Sequence, residues 1–217
     1  VSVVRGQVAG VGPSGTHLFS GVTLEFLGGD VVNVTSTSAR RLRPSFAVVP
    51  GGLVPRQIVA GGLGGATLYG GGGAIRVMEG NGGALEFFDA QGQVFLREAP
   101  NGRTLTPTTV QGEQTLKVRQ QWVSPPEEAI YGLGQHQYDF LDMKGHDFTL
   151  WQHNTEIAVP LLVSSKGYGI FWDNPSPTKF GDPRDFVAIP ADHLLTADGT
   201  VEPDAARAVA DFHTAFN

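Results

Sequence analysis

The sequence predicts an all-β fold made of antiparallel sheets, and two features point there. The 30 glycines and 14 prolines punctuate the chain often and without a collagen-like period, which suits many short strands joined by tight turns. Between these breaks, short runs alternate apolar and polar residues with period two, as strands with one face on a core do.

The elements follow in order. Val22, Leu24 and Phe26 alternate with Thr23 and Glu25, and a Gly-Gly-Asp turn leads into DVVNVT, Asp30 to Thr35, so the two predict a hairpin. The glycine-dense segment 61–73 lacks the closing Lys and the following helix of a phosphate loop, and reads as a flexible connection between strands. A strand over Ala74 to Met78 follows it. Leu85 and Phe87 flank Glu86, and Asp89-Ala90-Gln91-Gly92 turns the chain into Val94-Phe95-Leu96. Leu116, Val118 and Trp122 are expected to share a face opposite Lys117, Arg119 and Gln121.

From Ala158 the alternation stops. Ala158 to Val163 and Tyr168 to Trp172 are apolar on both sides, which predicts a hairpin covered on both faces, with a bulge or an unpaired position at Pro160. Beyond Glu202-Pro203-Asp204, the residues Ala206, Val209, Phe212, His213 and Phe216 fall near helical spacing, giving a short C-terminal helix or linker. The domain division is then 1–201 for the β-sandwich and 202–217 for a helical linker toward a further domain.

Composition removes several function classes. With 15 Lys+Arg against 21 Asp+Glu the formal net charge is -6, and the densest basic cluster, Arg40-Arg41-Leu42-Arg43, is too short to track a phosphate backbone, so no nucleic-acid partner is expected. The longest apolar run, Ile157 to Val163, falls far short of the ~20 residues that span a bilayer, and no membrane partner is expected. The chain has no cysteine, which excludes disulfides, a thiol nucleophile and Cys-ligated zinc but leaves the compartment open. The start, VSVVRGQVAG, reads as a mature or trimmed end and not as a signal peptide.

No complete catalytic set is present. Ser164-Ser165-Lys166 has no nucleophile elbow around it and reads as a hairpin tip. Glu127 and Glu128 are adjacent, so on a strand they face opposite sides and cannot flank one glycosidic bond; they read as a solvated strand entry. His136, Asp139, Asp142, His146 and Asp147 match no zinc or calcium spacing, so neither a metal nor another cofactor is expected, and a polar loop facing a ligand is the better reading.

Ala129 to Gln137, AIYGLGQHQ, then a Trp-polar-polar-Asn step and PLLVSSKGYGIFWDN resemble the N-terminal β-sandwich of glycoside hydrolase family 31, and GQHQ with WDNPSPTKFGD is most similar to its bacterial α-xylosidase branch. The resemblance is densest between Pro126 and Asp182. It implies a galactose-mutarotase-like supersandwich ahead of a downstream (β/α)8 catalytic domain that holds both catalytic aspartates; no residue of this chain corresponds to either. It also implies that one sandwich loop, here Trp151-Gln152-His153-Asn154, helps form a pocket for an α-linked oligosaccharide. Asn154 stands where an acidic residue is common in the family, so a neutral amide replaces a charged contact. Gln135 and His136 are further candidates for facing the interdomain cleft. The expected function is therefore that of a non-catalytic domain which stabilises the barrel and lends it a loop. The rival expectation is a stand-alone carbohydrate-binding module or subunit. A mutarotase-like enzyme acting through His136 or His153 is a third. A role in degrading polysaccharides would favour a periplasmic or secreted location.

Overall fold

A computed structural model describes residues 2–4, 16–19, 21–27, 31–37, 59–63, 66–70, 73–110, 112–174 and 176–181. The expected C-terminal helix, the 202–217 linker and the Arg40–Arg43 cluster lie outside the described residues. The strands, numbered in chain order, form two large antiparallel sheets. The first has the order β13 (Ile130–Gln135), β15 (Ile157–Ser164), β16 (Tyr168–Phe171), β1 (Ser2–Val4), β4 (Val31–Ser36), β3 (Val22–Leu27) and β2 (Thr16–Phe19). The second has the order β12 (Trp122–Val123), β9 (Val94–Glu98), β8 (Leu85–Phe88), β7 (Arg76–Glu79), β6 (Ala66–Gly70) and β5 (Val59–Leu63).

The alternation read from the sequence places the core between these sheets. Val22, Leu24, Phe26 and Val32 from one side meet Ile75, Val77, Leu85, Phe87 and Leu96 from the other, joined by Tyr168 and Ile170. Phe95 and Tyr168 touch across the gap with ring centroids 5.7 Å apart. Each such side chain contributes on the order of 1.5–3 kcal/mol by leaving water. The β3–β4 hairpin has the expected register, Val22 opposite Ser36 and Leu27 opposite Val31. The β8–β9 turn is held by Asp89, whose Oδ1 accepts from the Gln91 and Gln93 amides at 3.0 and 2.8 Å.

Four expectations change. The glycine-dense segment is a paired hairpin and not a flexible connection: β5 and β6 run from Val59 opposite Gly70 to Leu63 opposite Ala66. Glycine keeps its backbone donor and acceptor, so a ladder can form without side chains to announce it. Leu116 and Val118 do not share a sheet with Trp122. They lie on β11 (Glu113–Arg119), which among the described residues pairs only with β10 (Thr104–Val110) in a largely exposed ribbon, whereas Trp122 joins the second sheet beside Glu98.

The hairpin of β15 and β16 is covered on one face only. Tyr168, Gly169 and Ile170 are buried, but along β15 every other side chain is open to solvent: Ile157, Val159, Leu161 and Val163. Nothing among the described residues supplies the second cover that a continuous apolar run calls for. Pro160 does fall in an irregularity, since Gly132 pairs with Leu162 and Gly134 with Ala158, so three residues of β15 stand opposite Leu133 alone.

Glu128, finally, is not a solvated strand entry but 2% exposed. Its carboxylate accepts from Ser124 Oγ at 2.6 Å, Tyr168 Oη at 2.6 Å and Ser164 Oγ. Its neighbour Glu127 is exposed and pairs with Lys166 at 2.8 Å, which makes 164–167 the expected hairpin tip.

A second buried carboxylate, Glu98, sits inside the other sheet. Arg103 Nη1 reaches both its oxygens, at 2.8 and 2.9 Å, and the Leu85 amide donates to Oε2 at 2.9 Å. Burial nevertheless dominates and pushes the Glu98 carboxyl above the usual range, against the opposing pull of the Leu85 amide and Arg103. Arg103→Met removes the partner and is expected to cost ~3 kcal/mol at neutral pH. A raised carboxyl binds its proton more readily folded than unfolded, so stability is lost as pH rises through that range. The deficit of the variant should therefore shrink in acid, which urea titrations at pH 4 and pH 7 would measure.

The chain divides into two compact units, Val1–Lys144 with Leu150–Thr178, and Gly145–Thr149 with Lys179–Asn217. In the second, the rings of Phe148 and Phe180 lie 6.1 Å apart, where β14 (Phe148–Leu150) pairs with β17 (Thr178–Phe180).

Candidate functional site

The site is built at the β13–β15 end of the first unit. Tyr131-Gly132-Leu133-Gly134 forms an irregular strand in which Gly132, Leu133 and Gly134 all have positive φ, at 105°, 63° and 109°. A side chain at Gly132 would place Cβ 2.5 Å from the Leu161 carbonyl oxygen, and one at Gly134 would overlap the Ile157 carbonyl oxygen. The two glycines thus let β13 press against the β15 bulge. After Gln135, an exposed end residue opposite Ile157, the chain makes an excursion and returns at Asp142. Asp142 Oδ1 accepts from the Ile130 amide at 2.9 Å and the Lys144 amide at 3.0 Å, and Lys144 Nζ donates to the Pro125 carbonyl. Of the five residues considered as metal ligands, Asp142 therefore serves the backbone.

The second loop is a tight turn at the entry to β15. His153 and Glu156 form an isolated antiparallel bridge around Asn154 and Thr155. Gln152 holds its base: the side-chain amide donates to the Glu156 carbonyl at 2.7 Å and its oxygen accepts from the Ala158 amide at 3.2 Å. His153 Nδ1 donates to the Trp151 carbonyl at 3.1 Å. Trp151 itself is 63% exposed, and Asn154 stands exposed at the tip. The four predicted residues therefore divide. Trp151 and Asn154 face solvent, whereas Gln152 and one nitrogen of His153 are engaged in holding the turn.

His136 lies elsewhere than at an open surface. Its side chain is 3% exposed, with Nε2 3.0 Å from the Leu133 carbonyl and Nδ1 3.1 Å from Glu156 Oε2. The His136 ring is 6.2 Å from that of Tyr138, which stacks on Phe140 at 5.2 Å with planes 15° apart. Sequence reasoning passed over Glu156 and Tyr138. Glu156 had a readable signal, an Asn-Thr pair just before a strand, because a two-residue turn places its flanking residues side by side.

The structure is thus an antiparallel double sheet whose β13–β15 edge carries an exposed Trp on a turn pinned by Gln152. The family described as the glycosyl hydrolase 31 N-terminal galactose mutarotase-like domain matches residues 21–181, and the chain belongs to it. Among characterised relatives, it is 46% identical over 72 residues to an α-xylosidase of Saccharolobus solfataricus, covering 29% of this chain and 10% of that protein. The crystal structure of a glycoside hydrolase family 31 α-xylosidase from Xanthomonas citri superimposes with a TM-score of 0.67 at 33% identity, over 89% of this chain and 22% of that one. A family 31 α-xylosidase from a soil metagenome, complexed with xylose, shares the fold at 22% identity and a TM-score of 0.58, over 80% of this chain and 29% of that one. The chain thus spans less than a third of the length of these relatives.

Proposed function

We propose that this chain acts as the non-catalytic N-terminal domain of a retaining α-glycosidase of the α-xylosidase type, with α-linked xylosyl or glucosyl substrates. It stabilises the (β/α)8 barrel that holds the catalytic carboxylates and lends that barrel the Trp151–Asn154 loop. The observation that carries this reading is the loop itself: a largely exposed Trp on a turn fixed by Gln152, in a domain of this family. The indole face suits the C–H side of a sugar ring, and Asn154 can both donate to and accept from hydroxyls. The open stripe Ile157, Val159, Leu161 and Val163, continued by exposed Tyr131 opposite Val163, supports the packing role, because such a patch invites cover by another domain.

The exposed Trp151 would equally serve a stand-alone carbohydrate-binding module, and two measurements on the 217-residue chain separate the readings. Aryl α-xylosides and α-glucosides should show no turnover, and calorimetry with xylose or xylosyl oligosaccharides at millimolar concentration should show no binding. Binding that is lost in Trp151→Ala would favour the module, and mutation-sensitive turnover would overturn the non-catalytic role.

A further inference from the structure

A pair of side chains, His136 and Glu156, joins the two loops of the site, and its hydrogen-bond chemistry is restrictive. A carbonyl oxygen has no proton to give, so His136 Nε2, 3.0 Å from the Leu133 oxygen, must carry one and donate it. Nδ1 then faces Glu156 Oε2 at 3.1 Å, and a bond there also needs a proton between nitrogen and carboxylate. If neither atom held one, two lone pairs would face each other in a nearly dry site, since the His136 and Glu156 side chains are 3% and 17% exposed. A histidine bonded through both nitrogens is an oriented connector, unable to rotate without losing a bond at each end.

What it connects is specific. At one end is Leu133, the positive-φ residue whose carbonyl direction is set by the glycines on either side. At the other is Glu156, whose amide closes the Asn154–Thr155 turn onto the His153 carbonyl and whose own carbonyl receives Gln152. His153 Nε2 lies 4.0 Å from the same Oε2, so the exposed histidine of the loop also looks back at this carboxylate. Asp142, an acid on the other loop, is turned to the backbone of Ile130 and Lys144.

We propose that His136 and Glu156 are a positioning pair, sharing a proton, that sets the height and tilt of the Trp151–Asn154 loop; His136 acts through Glu156 and does not itself touch sugar. The inference rests on the reading of that loop as sugar-facing. It assigns a job to the His of GQHQ and to an acidic residue that follows the Trp step by five positions.

The first test is spectroscopic and uses the 217-residue chain with 15N-labelled histidine. The His136 ring should show a proton on Nε2 and Nδ1 engaged in a hydrogen bond to Glu156. In Glu156→Gln the side-chain amide can donate to Nδ1, so the ring should keep its Nε2 proton and both bonds, with the fold retained. A ring without a proton on Nε2, or with Nδ1 free of any hydrogen bond, overturns the pair. The second test is kinetic, in a complete glycosidase carrying this domain. His136→Ala and Glu156→Ala should each raise KM for an aryl α-xyloside about tenfold, the scale of losing one positioning hydrogen bond, with Glu156→Gln recovering most of the loss. If Trp151→Ala impairs the enzyme while the alanine variants at 136 and 156 do not, the positioning role is wrong and the sugar-loop reading stands. If Trp151→Ala also has no effect, the sugar-loop reading fails with it.

Discussion

Gly134→Ala should unfold the β13 edge of the first sheet. The residue has φ 109°, a region closed to side-chain-bearing residues, and its new Cβ would overlap the Ile157 carbonyl and lie 2.8 Å from the Val159 amide. Both obstacles are backbone, so neither can swing aside as a flexible side chain would. The expected cost is at least ~3 kcal/mol, combining backbone strain with the displacement of β15. Gly167→Ala supplies the comparison. Its φ is 79°, but nothing lies within 4 Å of the added atom, so only the left-handed conformation is penalised, by about 1 kcal/mol. Chemical denaturation of the two variants should separate them by ~2 kcal/mol or more. Equal losses would mean that the close approach of β13 to β15 is not a constraint.

Glu128→Ala is expected to be comparably severe. One carboxylate accepts the hydroxyls of Ser124, Ser164 and Tyr168, tying the segment before β13 to the ends of β15 and β16. Its removal leaves buried donors without an acceptor and opens a polar cavity, for ~3–5 kcal/mol. Glu128→Gln should recover about half, because an amide oxygen still accepts and a hydroxyl can turn to accept from the amide nitrogen. The tyrosine gives an independent readout. Burial first, and then the hydrogen bond and charge of Glu128, hold the Tyr168 hydroxyl far above the usual tyrosine range. A group whose folded value is raised contributes stability that is complete below the unfolded value of about 10 and is lost as pH rises through the folded one. Stability should therefore decline above pH 10, and Tyr168 should resist ionisation there. In Glu128→Ala, ultraviolet titration at 295 nm should find Tyr168 ionising at lower pH.

How far the sequence could be read depended on the kind of signal. The β3–β4 and β8–β9 hairpins were legible because one face is buried and the sequence between the strands reads Gly-Gly-Asp and Asp-Ala-Gln-Gly. Pro160 announced its own irregularity through the missing amide. The β5–β6 pairing was hidden because glycines carry no alternation, and β10–β11 because an apolar residue on an exposed ribbon looks like one in a core. The run from Ala158 to Val163 was read as covered on both faces; its open stripe shows that apolar residues on a strand state a need for cover without saying who provides it. Glu128 was misjudged because a buried carboxylate depends on three hydroxyls, two of them about 40 residues away, which no local pattern reveals. For the candidate site, the motif named Trp151 to Asn154, but only the geometry distinguishes the exposed Trp151 from a Gln152 that serves the backbone and a His136 that faces inward.

The most direct test of the central claim is the kcat/KM of a complete family 31 glycosidase carrying this domain, measured on an aryl α-xyloside with and without Trp151→Ala. Trp151 is too exposed for its loss to damage the core, so the melting temperature should move little. The account predicts a fall of roughly 10- to 100-fold in kcat/KM, the scale of losing one stacking surface at a sugar subsite and loosening the ligand's orientation. Unchanged kcat/KM at unchanged stability would show that the loop does not reach the sugar, and would contradict the account.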